Sequence, residues 1–448
     1  MILNMKNIKR CILIMCDSLR RDLILPDSSP TLTAMAKQAT WFANAHAVFP
    51  STTRVSSASI ATGCLPGRHG LLGNKMITRD GQGLRCHNVG EPVFRDHLQR
   101  VTGRTLRVPT LAQRVAAHGG ACIMSNVSAG AAYFNDPDGF GEVFHSAGSY
   151  GPGREPYLDE RALLIKSGCV GDTQMTARFC EKLLKPNAPV IATLWLSEPD
   201  HSGHANPLGS PAHFAAIANA NACVARVLDV VEQLRSRGED VLLMVASDHG
   251  METVINEIDV GQALVDAGLK AAADSDDVVI APNGSSCMVA IDPRVEFLHS
   301  AIVDFLSRQP WCAAVYEKEA LTRLGLSADD AGNTLAVVMQ SYEQANEFGI
   351  AGSTCIAADA QDPKNYQGYG QHGGLGRYEQ APFLIVQGTG FPQSSIHDGP
   401  VSLVDFAPTF LHHLGLPCAD MDGSPLQLRI STDDHSTSRS RLPCIAVH

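Results

Sequence analysis

Three carboxylates and three imidazoles stand out at the ends of apolar runs and in short polar motifs. The set comprises Asp17, Asp200, His204, Asp248, His249 and His372. Mixed oxygen and nitrogen ligands of this kind suit Zn²⁺, and Mn²⁺ or Fe²⁺ also accept them. Six ligands are too many for one tetrahedral ion but divide between two, and two ions about 4 Å apart would clamp a phosphoryl group. The set therefore predicts a two-metal site for phosphoryl chemistry.

A nucleophile is predicted in the hydroxyl-rich segment 49–59, which is typical of a turn that enters a helix. A hydroxyl at the start of a helix lies against free backbone N–H groups and the positive end of the helix dipole, where negative charge is stabilised. Coordination to a metal would lower the pKa of such a hydroxyl and activate it.

Five apolar runs position these residues. They are Cys11–Cys16, Ala121–Met124, Val190–Leu196, Val241–Ala246 and Phe383–Val386. Runs that are apolar at nearly every residue suit strands buried on both faces of a parallel sheet. Helix-like stretches such as Thr110–His118 and Ala212–Arg235 lie between them, so we predict a doubly wound, mostly parallel α/β sheet flanked by helices. Ligands gather at the carboxyl ends of such strands, where the acidic residues fall.

Two stretches interrupt this alternation. Residues 77–164 are rich in Gly, Pro and polar residues and are predicted to form excursions above the sheet. Residues 271–350 carry a second, smaller α/β pattern, which we interpret as an inserted subdomain. The predicted catalytic core then comprises residues 1–270 and 351–448.

Composition limits the partners of the chain. Its 448 residues are 44% hydrophobic, so a disordered chain is excluded. The net charge of -11 is spread without long runs, which disfavours a nucleic-acid polymer but allows a small anionic substrate beside metal ions. The longest uninterrupted apolar runs have about six residues, and Val190–Leu196 reaches seven only with one Thr inside, against the roughly 18–20 of a membrane span, so no membrane segment is expected.

The cysteines and the N-terminus indicate a compartment. Thirteen cysteines, an odd number, are scattered along the chain without a CxxC pair, which favours reduced thiols over a disulfide framework. The N-terminal apolar run is short and lacks a small-residue cleavage site. We therefore predict a cytoplasmic protein.

Several motifs, in a fixed order, make the chain similar to a known family. They are PSTTRVSSASIATG (50–63), PGRHGLLGN (66–74), EPDHSGH (198–204), SDHGM (247–251), QHGG (371–374) and VDFAPTFLHHLGLP (404–417). Together with the strand that ends in Asp17, they resemble the alkaline phosphatase superfamily. The specific resemblance is to its type I phosphodiesterase/nucleotide pyrophosphatase branch, which also includes phosphonoacetate hydrolase.

The resemblance implies a role for each candidate. One ion would be held by Asp200, His204 and His372, and the other by Asp17, Asp248 and His249. Counting back from Ala61–Gly63, the family's nucleophilic threonine falls on Thr53, which would also coordinate the second ion. Asn74 would bind a non-bridging phosphate oxygen. The family implies two divalent ions, with Zn²⁺ preferred and Mn²⁺ or Fe²⁺ as alternatives. The family's usual Phe-Pro-Asn after the threonine is replaced here by Arg54-Val55-Ser56, so nucleotide specificity is not implied.

The predicted function is two-metal hydrolysis of phosphodiester or phosphoanhydride substrates through a phosphothreonine at Thr53. The substrate would be a small anionic phosphorus compound, and a homo-oligomer is left open. The main alternative is C–P bond hydrolysis on the same site, as in phosphonoacetate hydrolase. A phosphomutase fits the nucleophile motif less well, and the complete ligand set disfavours a metal-dependent anion binder without activity.

Two other signals are set aside. Cys64–Arg68 matches the CxPxR pattern of sulfatases, but Cys64 lies eleven residues after Thr53 and not at the nucleophile position. Arg54 and Lys75 could contact the rest of a substrate, and we interpret them as ordinary surface or packing residues.

Overall fold

A computed structural model describes residues 8–81, 83–327, 334–362 and 364–433 of the chain. The strands are β1 (Lys9–Cys16), β2 (Thr40–Phe42), β3 (Ala45–His46), β4 (Lys75–Asp80), β5 (Gly83–Asn88), β6 (Ala121–Ser125), β7 (Glu142–Phe144), β8 (Ile191–Leu196), β9 (Asp240–Ala246), β10 (Glu252–Ile258), β11 (Val278–Pro282), β12 (Ser286–Ile291), β13 (Cys312–Glu317), β14 (Thr334–Met339), β15 (Ser341–Ala345), β16 (Ala351–Ala357), β17 (Gly370–Gln371), β18 (Leu384–Gln387), β19 (Ser395–His397) and β20 (Val401–Ser402).

The α-helices lie between these strands and after the last of them. They are α1 (Pro30–Gln38), α2 (Thr53–Thr62), α3 (Pro66–His69), α4 (Phe94–Thr102), α5 (Leu111–Val115), α6 (Ala129–Asn135), α7 (Gly168–Leu183), α8 (Asp200–Gly203), α9 (Pro211–Ser236), α10 (Val260–Asp266), α11 (His299–Ser307), α12 (Phe406–Leu414) and α13 (Leu426–Asp433).

The largest sheet has eight strands in the order β19-β2-β18-β9-β1-β8-β6-β7. Strands β9, β1, β8, β6 and β7 run parallel, with Met15 opposite Ala246 and Cys16 opposite Leu196. Their carboxyl ends therefore meet at one edge. The predicted α/β class with a mostly parallel sheet is confirmed.

One of the five apolar runs does not follow the parallel pattern that such runs suit. The run at Phe383–Val386 forms β18, which pairs antiparallel with both β9 and β2. Its carboxyl end therefore lies at the opposite edge from the acidic residues. A continuous apolar run indicates a strand that is buried on both faces of a sheet, and β18 is buried like its parallel neighbours. The pattern therefore does not show whether a strand is parallel or antiparallel.

Both faces of this sheet are covered, which explains why β1 is apolar at nearly every residue. Cys11, Leu13 and Met15 pack into the core on the side of α12, whereas Ile12 and Ile14 pack on the opposite side against α7 and α9. Successive side chains of a strand point to opposite faces, so a strand between two helical layers needs apolar residues in both registers.

Helix α9 is apolar and long enough to cross a membrane by length and composition, and half of its apolar 18-residue window is buried in the protein. The uninterrupted-run criterion missed it because Asn and His interrupt its Ala, Val and Leu residues. Within the described residues it packs against the large sheet through side chains such as Val224, Val227 and Val231. Buried core helices pass the same test, so this helix is weak evidence for a membrane span.

Two further four-stranded sheets lie beside the large one. The first has the order β15-β16-β10-β17 and ends beside His372. The second, β11-β12-β14-β13, is antiparallel and has its own apolar core, which includes Val289, Ile302 and Val337. It occupies most of the stretch predicted as an insert, and the division of the chain at residues 271 and 350 stays a prediction.

The cysteines in the described part of the chain, twelve in number, are all free thiols. Burial raises the pKa of several of them, and that of Cys122 reaches about 12. Low-pKa thiolates are the reactive form, so the Cys122 thiol has the character of a small apolar side chain. The cytoplasmic location inferred from the cysteine pattern stays a prediction.

A buried pair of carboxyls lies where the small sheets meet the loop after β17. Glu252 and Glu379 are 0% and 1% exposed. Burial, with the charge of Glu379 adding to it, raises the pKa of Glu252 to about 8. Because this pKa lies above that of an unfolded glutamate, the folded chain holds a proton that the unfolded chain releases, and stability falls as the pH rises from about 4.5 to about 8.

We therefore expect Glu252→Gln to flatten the pH dependence of unfolding. Relative to this variant, the wild type should lose up to about 1.4 kcal/mol of unfolding free energy per pH unit in that window. Urea unfolding of metal-free protein between pH 5 and 8 measures it, with Glu343→Gln, an exposed acid, as the matched control. Parallel curves for wild type and Glu252→Gln would refute the assignment.

Candidate metal centre and active site

Three adjacent parallel strands deliver most of the predicted ligands to one edge of the large sheet. Asp17 directly follows β1, Asp248 and His249 follow β9 after a single serine, and Asp200 begins α8 just beyond β8. The backbone N–H of Asp200 donates to the backbone oxygen of Asp17 at 3.1 Å, which joins two of these turns. The strand register therefore places the carboxylates side by side.

Asp200, His204 and His372 form the first ligand group, and their ligand atoms lie within 4.8 Å of one another. The Nε2 atoms of His204 and His372 are 3.3 and 3.5 Å from Asp200 Oδ1. The Nδ1 atoms of the two imidazoles donate to the backbone oxygens of Gly370 and Ser51 at 2.9 and 2.8 Å. These bonds place the proton on Nδ1 and leave Nε2 free to bind a metal.

Asp17, Asp248 and His249 form the second ligand group, which is completely buried. His249 Nε2 lies 3.1 Å from Asp248 Oδ2 and 3.7 Å from Asp17 Oδ1. The indole N–H of Trp195 donates to Asp17 Oδ2 at 2.9 Å. Asp17 Oδ1 and Asp248 Oδ2 accept no hydrogen bond from the described residues, because the close contact of Asp248 Oδ2 with His249 Nε2 lacks the geometry of one. Burying a carboxylate oxygen without a partner costs free energy, so these two atoms indicate a site that binds a cation.

The electrostatics of the site lead to the same conclusion. Burial raises the pKa of Asp17 well above its usual range, and the charges of Asp248 and Asp200 raise it further. Burial, helped by the neighbouring His249, lowers the pKa of His372 to about 4, so this imidazole is neutral at physiological pH. Clustered carboxylates beside neutral imidazoles are a donor set that fits two divalent cations.

Thr53 stands at the start of a buried helix, beside the second ligand group. It is the first residue of α2, and Thr52 precedes it in an extended conformation. Thr53 Oγ1 is 3.2 Å from His249 Nε2. The side chain of Thr52 makes no capping bond, and its Oγ1 has no partner among the described residues. Of the two adjacent threonines, Thr53 therefore has its hydroxyl at the second ligand group.

A cleft of about 280 Å³ opens beside the first ligand group. Its walls include Asn74, His204, His372 and, beyond them, Arg54 and Tyr366. Asn74 is held through side chain and backbone, because its Oδ1 accepts from the Arg54 backbone N–H at 3.4 Å and its backbone N–H donates to Asn283 Oδ1 at 2.6 Å. The Asn74 side chain is thus positioned at the wall of the cleft.

The structure brings all eight predicted site residues to this edge of the sheet. Their chemical roles stay predictions. Cys64 follows the far end of α2 and is 1% exposed, so the structure gives the sulfatase-like pattern no place at the site.

Sequence reasoning missed three residues that contact the ligand groups or line the cleft. Ser18 Oγ bridges the two ligand groups, since it lies 2.6 Å from Asp200 Oδ1 and 3.0 Å from His249 Nδ1. Trp195 orients Asp17, but in the sequence it is one apolar residue of β8. Arg54, interpreted as a surface or packing residue, lines the cleft, and burial lowers its pKa to about 10, so it stays charged. Its place directly after Thr53, where the chain departs from the family pattern, was the available signal.

Comparison with known proteins assigns the chain to a family. The model of the type I phosphodiesterase/nucleotide pyrophosphatase family matches residues 11–374, so the chain belongs to that family. It is therefore a hydrolase, and members of the family are metal-dependent and act on phosphodiester bonds. No individually curated protein matches the chain in a sequence comparison.

Solved structures share the fold. Murine ectonucleotide pyrophosphatase/phosphodiesterase 5, as an inactive threonine-to-alanine variant in complex with AMP, superposes with a TM-score of 0.67 at 17% identity over 94% of this chain and 99% of that one. A second murine structure of that protein gives 0.65 at 18% identity, covering 93% and 98%. The human protein gives 0.65 at 17% identity, covering 96% and 100%.

Proposed function

We propose that the chain hydrolyses P–O bonds of phosphodiester or phosphoanhydride substrates through a covalent intermediate on Thr53, with two divalent ions bound. The observation that carries the proposal is the position of Thr53 Oγ1, 3.2 Å from His249 Nε2 and at the start of the buried helix α2. A nucleophile at this point lies next to the second ligand group and to the free N–H groups of the helix end.

The first ligand group would hold one ion, and the second ligand group with Thr53 would hold the other. Zn²⁺ is the preferred ion because the donors are mixed carboxylates and imidazoles, and Mn²⁺ or Fe²⁺ remain alternatives. When bound, such ions supply Lewis-acid polarisation of phosphoryl oxygens and lower the pKa of hydroxyls.

The protein's own side chains and backbone groups take part in two successive displacements at phosphorus. Thr53 gives its hydroxyl proton to solvent, and Oγ1 forms a bond to phosphorus while the bond from phosphorus to the leaving-group oxygen breaks in line with it. The departing oxygen takes a proton from water. Asn74 donates its amide N–H to a non-bridging oxygen, and the N-terminal N–H groups of α2 stabilise the charge that develops there. Water then cleaves the phosphothreonine, which restores the Thr53 hydroxyl and releases the second product.

A structural neighbour supports a threonine nucleophile. The murine ectonucleotide pyrophosphatase/phosphodiesterase 5 whose structure contains AMP is inactive and carries a threonine-to-alanine substitution. The shared fold and the family membership support the same type of nucleophile at Thr53.

A ³¹P NMR time course tests the proposed function. Zn²⁺-reconstituted protein is incubated with a phosphodiester and phosphonoacetate in one tube. We expect the diester signal to decay and a monoester signal to grow. Orthophosphate formed from phosphonoacetate while the diester persists would replace the proposal with C–P hydrolysis, and two unchanged signals would refute both.

A further inference from the structure

Arg54 lies in an electrostatically unfavourable place. It is the second residue of α2, directly after Thr53, and the first turn of this helix contains no acidic residue. The N-terminal end of a helix carries partial positive charge, so a guanidinium there is repelled unless an anion compensates it. Arg54 also lines the cleft beside the first ligand group, where its side chain is half-buried.

The Arg54 side chain is held rigidly without being neutralised. Its Nε donates to Ser128 Oγ at 3.0 Å, and its Nη1 donates to the Asn74 backbone oxygen at 2.7 Å and to Asn88 Oδ1 at 3.2 Å. All three acceptors are neutral. Among the residues that the structure describes, Arg54 forms no ion pair and its Nη2 makes no hydrogen bond. A positive charge is therefore fixed in place with donor capacity left over.

Lys75, another cation at the cleft, shows the contrast. Its Nζ lies 2.8 Å from a carboxylate oxygen of Asp359 and 2.6 Å from Gln361 Oε1. The Lys75 charge is thus satisfied by the protein itself. The charges of Asp200 and then of Asp359 favour the charged Arg54. Asp200 belongs to the first ligand group, where a bound cation would cancel its attraction, and Asp359 is already paired with Lys75.

We propose that Arg54 is a specificity-determining residue that binds a second negative charge of the substrate. This charge lies on or next to the reacting phosphorus and is additional to the single charge of a simple phosphodiester. The inference rests on the proposed function of the site. The location follows from the chain, because Arg54 adjoins Thr53 and its backbone N–H donates to Asn74 Oδ1. The second charge comes either from a dianionic phosphoryl group or from an anionic group carried beside it.

Titration calorimetry with two matched pairs of ligands tests this and separates the two sources. One pair, inorganic phosphate and dimethyl phosphate, differs in charge on the phosphoryl group. The other, phosphonoacetate and phosphonoacetamide, differs in a neighbouring carboxylate. Zn²⁺-loaded protein carrying Thr53→Ala is used, so that no ligand is consumed. When Arg54→Gln is introduced into this Thr53→Ala protein, the ratio of affinities for the more and the less charged member should fall about 10- to 100-fold for at least one pair.

The pair whose preference falls identifies the source of the charge. Arg54→Lys keeps the charge but not the fork of donors and should retain part of the preference, and it serves in place of the Gln variant if that fails to fold. Arg79→Gln removes a charge from β4, where Arg79 pairs with Asp292, and should leave both preferences as they were.

A merely structural role for Arg54 would weaken all four ligands equally, so preferences unchanged within about threefold would overturn the proposal. Failure of the parent protein to bind any of the four would overturn it as well. Because binding is measured without turnover, a protein that hydrolyses no phosphorus substrate can still show the Arg54 effect. Failure of the proposed function is thereby distinguished from failure of this inference.

Discussion

Replacing Thr53 with alanine should lower kcat by about 10⁴-fold or more, because the variant lacks the oxygen that forms the covalent bond to phosphorus. The side chain lost is small and lies at the first position of α2, so the fold should persist. Initial rates with a chromogenic phosphodiester measure the effect. Metal content, measured by mass spectrometry of the digested protein, should stay close to that of the wild type, since six other ligands remain.

Thr52→Ala is the matched control for this prediction. It removes a hydroxyl of the same type one residue away, from a side chain whose Oγ1 has no hydrogen-bond partner among the described residues. We expect it to retain turnover. Loss of activity in Thr52→Ala together with full activity in Thr53→Ala would transfer the role of nucleophile to the neighbouring residue.

Removal of divalent ions should abolish turnover and also destabilise the fold. Without cations, the buried carboxylates of Asp17 and Asp248 face each other with unpartnered oxygens. Binding of an ion at a thousand times its Kd should add about 4 kcal/mol per site to the free energy of unfolding. Thermal unfolding before and after chelation, and after addition of Zn²⁺, measures the change.

Variants assign the two ions to the two ligand groups. Asp248→Asn and His204→Gln should each lose one ion, from the second and the first group respectively. His412→Gln is the control, because His412 is an exposed imidazole on α12 outside both groups. Chelated protein, verified as metal-free, that still turned over substrate and unfolded at the same temperature would contradict the metal assignment.

The core of the fold was predictable from the sequence because buried strands need apolar residues, which form a recognisable pattern. β1 is apolar in both registers since helices cover both faces of the sheet, and Asp17 marks the point where it ends. The direction of β18 was not predictable in this way. Its apolar run reports burial alone, whereas its antiparallel pairing depends on the path of the preceding chain.

Some residues of the site were predictable from local sequence motifs, and others were not. Asp200 and His204, one helical turn apart, are local in the sequence, and the motifs marked them. Ser18 and Trp195 act through contacts that span about 180 residues, to Asp200 and Asp17 respectively, and no local pattern reports such contacts. Arg54 was visible but ambiguous, because only the folded chain shows that its anchoring partners are neutral.

The stereochemical course at phosphorus tests the central claim most directly. A phosphodiester made chiral at phosphorus by sulfur and oxygen-isotope substitution is hydrolysed in isotopically labelled water, and the configuration of the product is read by ³¹P NMR. Two successive in-line displacements, the first by Thr53 and the second by water, invert phosphorus twice, so the account predicts overall retention. Overall inversion would show that water attacks phosphorus directly, and it would contradict the covalent intermediate on Thr53.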